Sequence, residues 1–549
     1  MKPVFILGLL VFATPPTVAQ RIGGEWALKH QIFGEQELGF FGDAVAGPGD
    51  LDGDGFADFV VGAPYEFFDR GKVYAYSGKL GTLLWEWTEG AVGHTTGSSI
   101  AGAGDVNGDG RPDVVVGIVQ ANKVAILLHD GSLWWIEENP IGNLGGSVAG
   151  IGDVNFDGFD DVVVGADRAA PNGISDAGSA IIYSGKDGSL LFRFDGEMAG
   201  DRFGLAVSEA GDANLDGFPD LLIGAPWASR AGFSKIGIAY LFSGKNGSLL
   251  FKFQGQFIRN GIHGSSLSEI GDLNSDGHDD FMVSAPGADF GGSESGAVFI
   301  YSGFDGSLIY RIDGANLGDF LGNSIDSIVD LDRDNIRDLA ITSEFFPIDF
   351  GRIEIRSGVD GELLDTVYGS VPRVGFGQHI AAVGDIEGNG LDAIITGLRA
   401  MSNGNIDSAG AVQVFSPNPF IFADATELSA SSGVPVQILM SFPESEANTK
   451  YALLLSGAGT GPTTIAGLEV PLGQSLLLSQ MLTGWAPFNL HGAFGTLDAN
   501  AQATATLDSD PTLAGLVGTT FYMAAVTYDS IPALAGRRTS IAWPIRIKL

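Results

Sequence analysis

The sequence contains no cysteine. That excludes disulfides, zinc–thiolate sites, iron–sulfur clusters and thiol nucleophiles. Basic residues are scarce: 29 Lys and Arg stand against 66 Asp and Glu, a formal net charge of −37. Nucleic acid and anionic lipid repel such a chain, so no nucleic acid is expected among its partners. Long apolar runs are missing as well. Residues 4–13 are continuously apolar, whereas a membrane-spanning helix needs about 18. With Met1-Lys2 before it, and Pro15-Pro16 and the small residues Thr17-Val18-Ala19 after it, this run reads as a signal peptide over residues 1–19. The expected product is secreted or cell-surface associated, with no membrane span. An exported chain without cysteine also points to a bacterial source.

Glycine is abundant instead, at 82 of 549 residues, roughly twice the usual share of about 7%. Many glycines in a chain rich in apolar residues mean many tight turns. They fall in a repeat. The segment Asp50-Leu51-Asp52-Gly53-Asp54-Gly55-Phe56-Ala57-Asp58 leads into Phe59-Val60-Val61 and then Gly62-Ala63-Pro64. Versions of it begin again at Asp105, Asp153, Asp212, Asp272, Asp330 and Asp385. Each follows a small-residue stretch that opens at a glycine, as in Phe41-Gly42 and Phe203-Gly204. Short strands with turn signals between them follow, about four per repeat. Four-stranded units at a period of 48 to 60 residues predict an all-β, seven-bladed β-propeller over residues 20–416. Ala27–Gly34 resembles the last strand of a unit, which the seventh unit lacks. The N-terminal strand is therefore expected to complete the last blade, leaving no open sheet edge.

Oxygen-bearing side chains occupy positions 1, 3, 5 and 9 of the first six loops. They are Asp50, Asp52, Asp54 and Asp58 in the first and Asp105, Asn107, Asp109 and Asp113 in the second. The third has Asp153, Asn155, Asp157 and Asp161, and the fourth Asp212, Asn214, Asp216 and Asp220. The fifth has Asp272, Asn274, Asp276 and Asp280, and the sixth Asp330, Asp332, Asp334 and Asp338. Hard oxygens at alternate positions of a tight loop suit Ca²⁺, with the position-7 carbonyl as a further ligand and a position-6 glycine for the turn. Without a cation the clustered carboxylates would repel one another. The competing reading is that Asp and Asn only cap turns. Five complete copies favour metal, so about five to six Ca²⁺ are expected. The sixth loop replaces the glycine by Asn335, and the seventh has Asp385, Glu387 and Asn389 but Ala393 at position 9. The seventh is expected to be empty or weak. The first 416 residues carry a net −33, and much of that is ligand chemistry.

Phe-Gly, the Asp-x-Asp/Asn-x-Asp-Gly-x-x-Asp loop and Gly-Ala-Pro together resemble the FG-GAP repeat of the integrin α-chain N-terminal propeller. Phe203-Gly204, Asp212–Asp220 and Gly224-Ala225-Pro226 make a complete copy, while Ser284-Ala285-Pro286 departs from it. The resemblance implies a seven-bladed propeller with structural calcium loops on one face, a ligand surface on the other, and a role in extracellular protein or glycan binding and cell adhesion.

After Ser416-Pro417-Asn418-Pro419 the pattern changes. Strand-like runs at Val436–Met440, Tyr451–Leu455, Ser475–Leu482, Ala501–Leu507, Phe521–Tyr528 and Ile541–Ile547 predict a β-sandwich over residues 417–549. The seven His residues form no H-E-x-x-H, and no G-x-S-x-G or phosphate loop occurs. No catalytic residue is expected, with a secreted polysaccharide hydrolase or a structural surface-layer component as alternatives. His278, in the fifth loop, is expected to serve through its carbonyl. Tyr65, Phe67, Phe68, Trp227, Arg230, Phe345 and Phe346 follow the Gly-Ala-Pro positions and read equally as binding groups or as filler between blades.

Overall fold

A computed structural model describes residues 25–230, 232–255, 261–331, 334, 336–344 and 350–418, and beyond these 421–423, 427–429, 435–442, 448–456, 463–465, 468–470, 475–481, 487, 490–498, 501–509, 516–517, 519–528, 536–539 and 543–548. Residues 1–19, read above as a signal peptide, lie outside the described residues. No helix among them is long and apolar enough to cross a membrane.

Seven four-stranded antiparallel sheets account for residues 25–418. The first runs Ala44–Gly49, Asp58–Ala63, Lys72–Tyr76, Leu83–Trp87, and the second Thr96–Gly104, Asp113–Ile118, Lys123–Leu127, Leu133–Glu138. The third is Leu144–Gly150, Val162–Ala166, Ser179–Tyr183, Leu190–Asp195, and the fourth Ala206–Glu209, Leu221–Ala225, Ile238–Phe242, Leu249–Gln254. The fifth is Leu267–Gly271, Asp280–Ala285, Ala297–Tyr301, Leu308–Asp313, and the sixth Ile325–Ile328, Asp338–Ser343, Arg352–Arg356, Leu363–Tyr368. The seventh joins Ile380–Gly384, Ala393–Gly397 and Ala411–Asn418 to the N-terminal strand Glu25–Phe33. In each sheet the strands follow in order, and the first strand packs against the first strand of the next sheet. The first strand of the seventh sheet packs against that of the first, so these contacts close on themselves. The arrangement is consistent with a β-propeller.

The second strands explain the stacking. Phe59-Val60-Val61, Val114-Val115-Val116 and Val162-Val163-Val164 are buried on both faces. β-Branched and aromatic residues suit a strand, and continuous apolar runs suit one covered on both sides. One apolar cluster joins Val60 of the first sheet to Val114 of the second. Another joins Val61 of the first to Ile395 of the seventh.

The motif glycines sit where backbones of neighbouring sheets touch. A Cβ on Gly62 would strike the carbonyl of Gly97 in the next sheet, and one on Gly397 would strike that of Gly42. Within a sheet, the Gly42 N–H donates to the Gly62 carbonyl at 2.9 Å, and Gly204 to Gly224 likewise. Phe-Gly and Gly-Ala-Pro thus mark one junction seen from two strands.

The N-terminal strand pairs with Ala411–Asn418 from Phe33 opposite Ala411 to Glu25 opposite Asn418. The last strand therefore runs two residues past Ser416, where its ladder partner among the described residues is the N-terminal strand. Proline is tolerated there because no second ladder needs its N–H.

Beyond residue 418, Ile421–Ala423, Val436–Ser441, Gln502–Leu507 and Leu490–His491 form one sheet. Glu427–Ser429, Trp543–Lys548, Thr520–Tyr528, Lys450–Ser456 and Phe494–Thr496 form another, with Gly536–Thr539 beside Thr520–Tyr528. Ile438, Met440, Leu453, Ala505 and Ala524 share one buried cluster. The strand expected over Ser475–Leu482 is instead a short helix, Leu476–Met481. Leu, Gln and Met carry no branch at Cβ and are good helix formers, and the Ser475 hydroxyl accepts the Leu478 N–H at 3.1 Å as an N-cap. Leu478 and Met481, three apart on one face, are buried.

Candidate functional site

Each aspartate loop joins the first strand of a sheet to the second. In the first loop the position-1 carboxylate turns the chain around itself. Asp50 Oδ1 accepts the N–H groups of Gly53 (2.7 Å) and Asp54 (3.1 Å), and Oδ2 that of Gly55 (2.8 Å). Asp105, Asp153, Asp212, Asp272 and Asp330 accept the corresponding N–H at position 5, and Asp385 does so in the seventh loop. Position 6 adopts φ 87° at Gly55, 85° at Gly110 and 93° at Gly277, the left-handed conformation glycine allows. The turn-capping reading therefore holds for position 1, which can cap a turn and still offer oxygen to a cation.

The position-9 carboxylate is fully buried at Asp58, Asp113, Asp161, Asp220, Asp280 and Asp338. Asp58 accepts from Leu51 (2.8 Å) and Asp52 (3.2 Å) in its own loop and from Gly78 (2.9 Å) in the Ser-Gly turn. Gly185, Gly244, Gly303 and Gly358 repeat the last contact to Asp161, Asp220, Asp280 and Asp338, and His129 does so to Asp113. Burial pushes the carboxyls of Asp58 and Asp280 up to about 6 and those of Asp113, Asp161 and Asp220 up to about 7. The acids at neighbouring loop positions push in the same direction. Each is a buried negative group that a cation would relieve.

In the first loop the residues fit a hard divalent ion. Oxygens of Asp50, Asp52 and Asp58 lie within 4.8 Å of one another, a span one Ca²⁺ bridges at about 2.4 Å from each. Asp54 is not part of that trio; its Oδ1 accepts the Phe56 N–H at 3.0 Å. Loops two to five carry an amide at position 3. In the fourth, Asn214 Oδ1 is buried with no hydrogen-bond partner among the described residues, an acceptor oxygen left for a ligand. Asn155 and Asn274 accept from Asp157 and Asp276 at 2.9 Å. Asn107 Oδ1 likewise accepts the Asp109 N–H at 2.8 Å, and its amide N–H donates to the Asp109 carboxylate at 2.9 Å. Asp216 and Asp276 accept the Ser243 and Ser302 hydroxyls, and Asp334 the Ile336 N–H. Asp332 lies outside the described residues. In the seventh loop Lys29 holds Glu387 at 2.6 Å and Ser416 donates to it at 2.8 Å.

Positions 7 and 8 are a feature the sequence pattern did not disclose. Phe218, at position 7 of the fourth loop, stacks on Phe156 of the third at 4.1 Å. Arg111 reaches over Gly53, Phe159 over Gly108 and Phe56 over Gly388, so these position-7 side chains cover the preceding loop. His278 does this through its ring, donating from Nδ1 to the Ala213 carbonyl at 2.7 Å. At position 8, Asp160 accepts the Asp105 N–H (2.7 Å), Asp279 that of Asp212 (2.8 Å) and Asp392 that of Val329 (2.8 Å). These residue types vary from loop to loop, so only their recurring place could have revealed them.

At the other end of the second strands, Tyr65, Phe67, Phe68 and Trp227 are exposed, Phe68 by 85%. They are not buried filler. Phe345 and Phe346 lie outside the described residues.

Family models for the FG-GAP-like repeat match residues 50–116 and 105–164, and those for the FG-GAP repeat match 203–242 and 268–301. The chain is 34% identical over 189 residues to integrin alpha-PS5 of Drosophila melanogaster, covering 31% of this chain and 18% of that one. It is 32% identical over 170 residues to integrin alpha-4 of Xenopus laevis, covering 29% and 16% respectively. It thus spans less than a fifth of the length of these relatives. With the sheets, loops and motif junctions above, these matches converge: the chain is an FG-GAP repeat protein that resembles the integrin α-chain N-terminal propeller.

Proposed function

We propose that this is a secreted, calcium-stabilised adhesion protein: a seven-bladed propeller over residues 20–416 with a β-sandwich over 417–549, binding an extracellular protein or glycan. The observation that carries the reading is the integrin-like FG-GAP array coupled to aspartate loops that hold buried carboxylates and an orphaned amide oxygen. Calcium in five or six loops would neutralise those acids and fix the turns. It would supply structure, with no bond made or broken. The rigid frame would then present the Gly-Ala-Pro loops and their exposed aromatics to a partner.

The test is a pull-down. Mature protein is incubated in calcium with cell-surface and matrix extract, eluted with chelator and analysed by mass spectrometry. A specific protein or glycan in the eluate supports the reading. An empty eluate from folded, calcium-loaded protein overturns it.

A further inference from the structure

We infer that the loop surface around Trp227 binds an anionic glycan, a sugar chain bearing carboxylate or sulfate groups. This deepens the proposed binding function and rests on it.

Trp227 follows Gly224-Ala225-Pro226 and is 40% exposed. Two cations lie against its ring: the Arg202 guanidinium at 4.8 Å from the centroid and the Lys235 ammonium at 4.0 Å. In a chain of net charge −37 this is a local reversal. The nearby acids are engaged by basic side chains, Glu197 by Lys252 at 2.8 Å and Arg230 at 3.5 Å. Asp167 holds Arg202 at 2.8 Å, and Asp201 holds Arg230 at 2.7 Å. Lys235 has no ion-pair partner among the described residues. Its place is set by a tight hairpin in which Arg230 and Phe233 exchange backbone hydrogen bonds, and its N–H donates to the Ser229 hydroxyl at 3.0 Å.

The indole stays 40% exposed with its two cations in place, and the apolar C–H face of a pyranose packs against that exposed surface. An acidic substituent on that sugar would meet Lys235 and Arg202, which lie over the ring. A neutral sugar would leave the ammonium without its ion. An acidic peptide would satisfy the charge but leave the indole unused. The aspartate loops do not forbid an anion here. They lie at the opposite ends of strands of five or six residues, roughly 17–20 Å away, beyond the screening length of about 8 Å in physiological salt.

The test titrates the full chain, in calcium, with a heparin-derived hexasaccharide, an oligogalacturonate, a neutral dextran oligosaccharide and a polyglutamate peptide, followed by calorimetry. The expected result is saturable binding of an anionic glycan and none of dextran. Trp227→Ala and Lys235→Glu, each melting as the wild type does, should weaken it by about tenfold or more. The inference is overturned if folded wild type binds neither anionic glycan, if both variants bind as wild type does, or if polyglutamate binds as tightly. A partner captured from extract equally by wild type and Trp227→Ala would overturn this site and leave the binding function standing. Capture of nothing by any of the proteins would overturn the function itself.

Discussion

His263 offers a sharp test of the packing argument. It stands where Phe41 and Phe203 stand in other repeats, each followed by glycine. Its ring meets Phe299 at 4.9 Å and Tyr301 at 6.0 Å, as Phe203 meets Tyr240 at 5.2 Å and Phe242 at 6.2 Å. The slot is built for a hydrocarbon ring, and both imidazole nitrogens are buried without a partner among the described residues. Burial alone lowers the imidazole from 6.5 to about 3. Because the folded value lies below the unfolded one, the unfolded chain takes the proton first. Stability is complete above about pH 6.5 and is lost as the pH falls toward 3. Between pH 8 and pH 5 the loss from this group is about 2 kcal/mol. His263→Phe removes that dependence and also removes two unsatisfied polar atoms, a gain of about 1–3 kcal/mol at pH 8. Urea unfolding of wild type and variant at pH 8 and pH 5, in saturating calcium, isolates the effect, since every other group titrates in both proteins. The stability advantage of the variant should grow by about 2 kcal/mol at the lower pH. An advantage that does not change with pH, or a variant less stable than wild type at pH 8, would refute the reasoning.

Other expectations are as direct. Chelator should lower the melting temperature markedly, and an unchanged melt would dismiss structural calcium. Asp216→Ala should remove about one bound ion by equilibrium dialysis, while Asp385→Ala should remove none, because its loop has Ala393 at position 9 and Glu387 tied to Lys29. Arg352→Ala takes the guanidinium from buried Asp319, 3.3 Å away, and from Glu354, 2.6 Å away, which keeps Arg356 at 2.6 Å; thermal or urea unfolding should show a loss of about 3 kcal/mol, the cost of leaving the Asp319 charge buried without its cation. Arg193→Ala, which breaks a half-exposed pair with Asp195, should cost less than about 1 kcal/mol in the same assay.

Much of this was readable before any coordinates, because it repeats. Asp, Asn and Gly at fixed loop positions and the apolar run after each loop declare a strand–turn–strand unit wherever they occur. The N-terminal strand was legible at Ala27–Gly34 because it matches the strand missing from the seventh repeat, and the observed span differs from it by one or two residues. Contacts between repeats were not legible. Phe218 on Phe156 and Asp279 on Asp212 join residues about one repeat apart, and nothing local in either segment names its partner. The helix Leu476–Met481 was missed because an apolar run of that length satisfies strand and helix alike. Its N-cap serine and lack of β-branching were the only signals against a strand.

The pairing of Glu25–Phe33 with Ala411–Asn418 separates the order of the polypeptide from the order of the molecule. The first and last strands of the array are neighbours joined by hydrogen bonds, and the loops and inner strands on either side of that seam meet as they do elsewhere. Chemically, then, the array has two ends; spatially it has none. A circular permutant of residues 25–418, with a short linker joining the old ends and a new opening in another repeat's outer turn, would keep every inter-sheet contact and only relocate the seam.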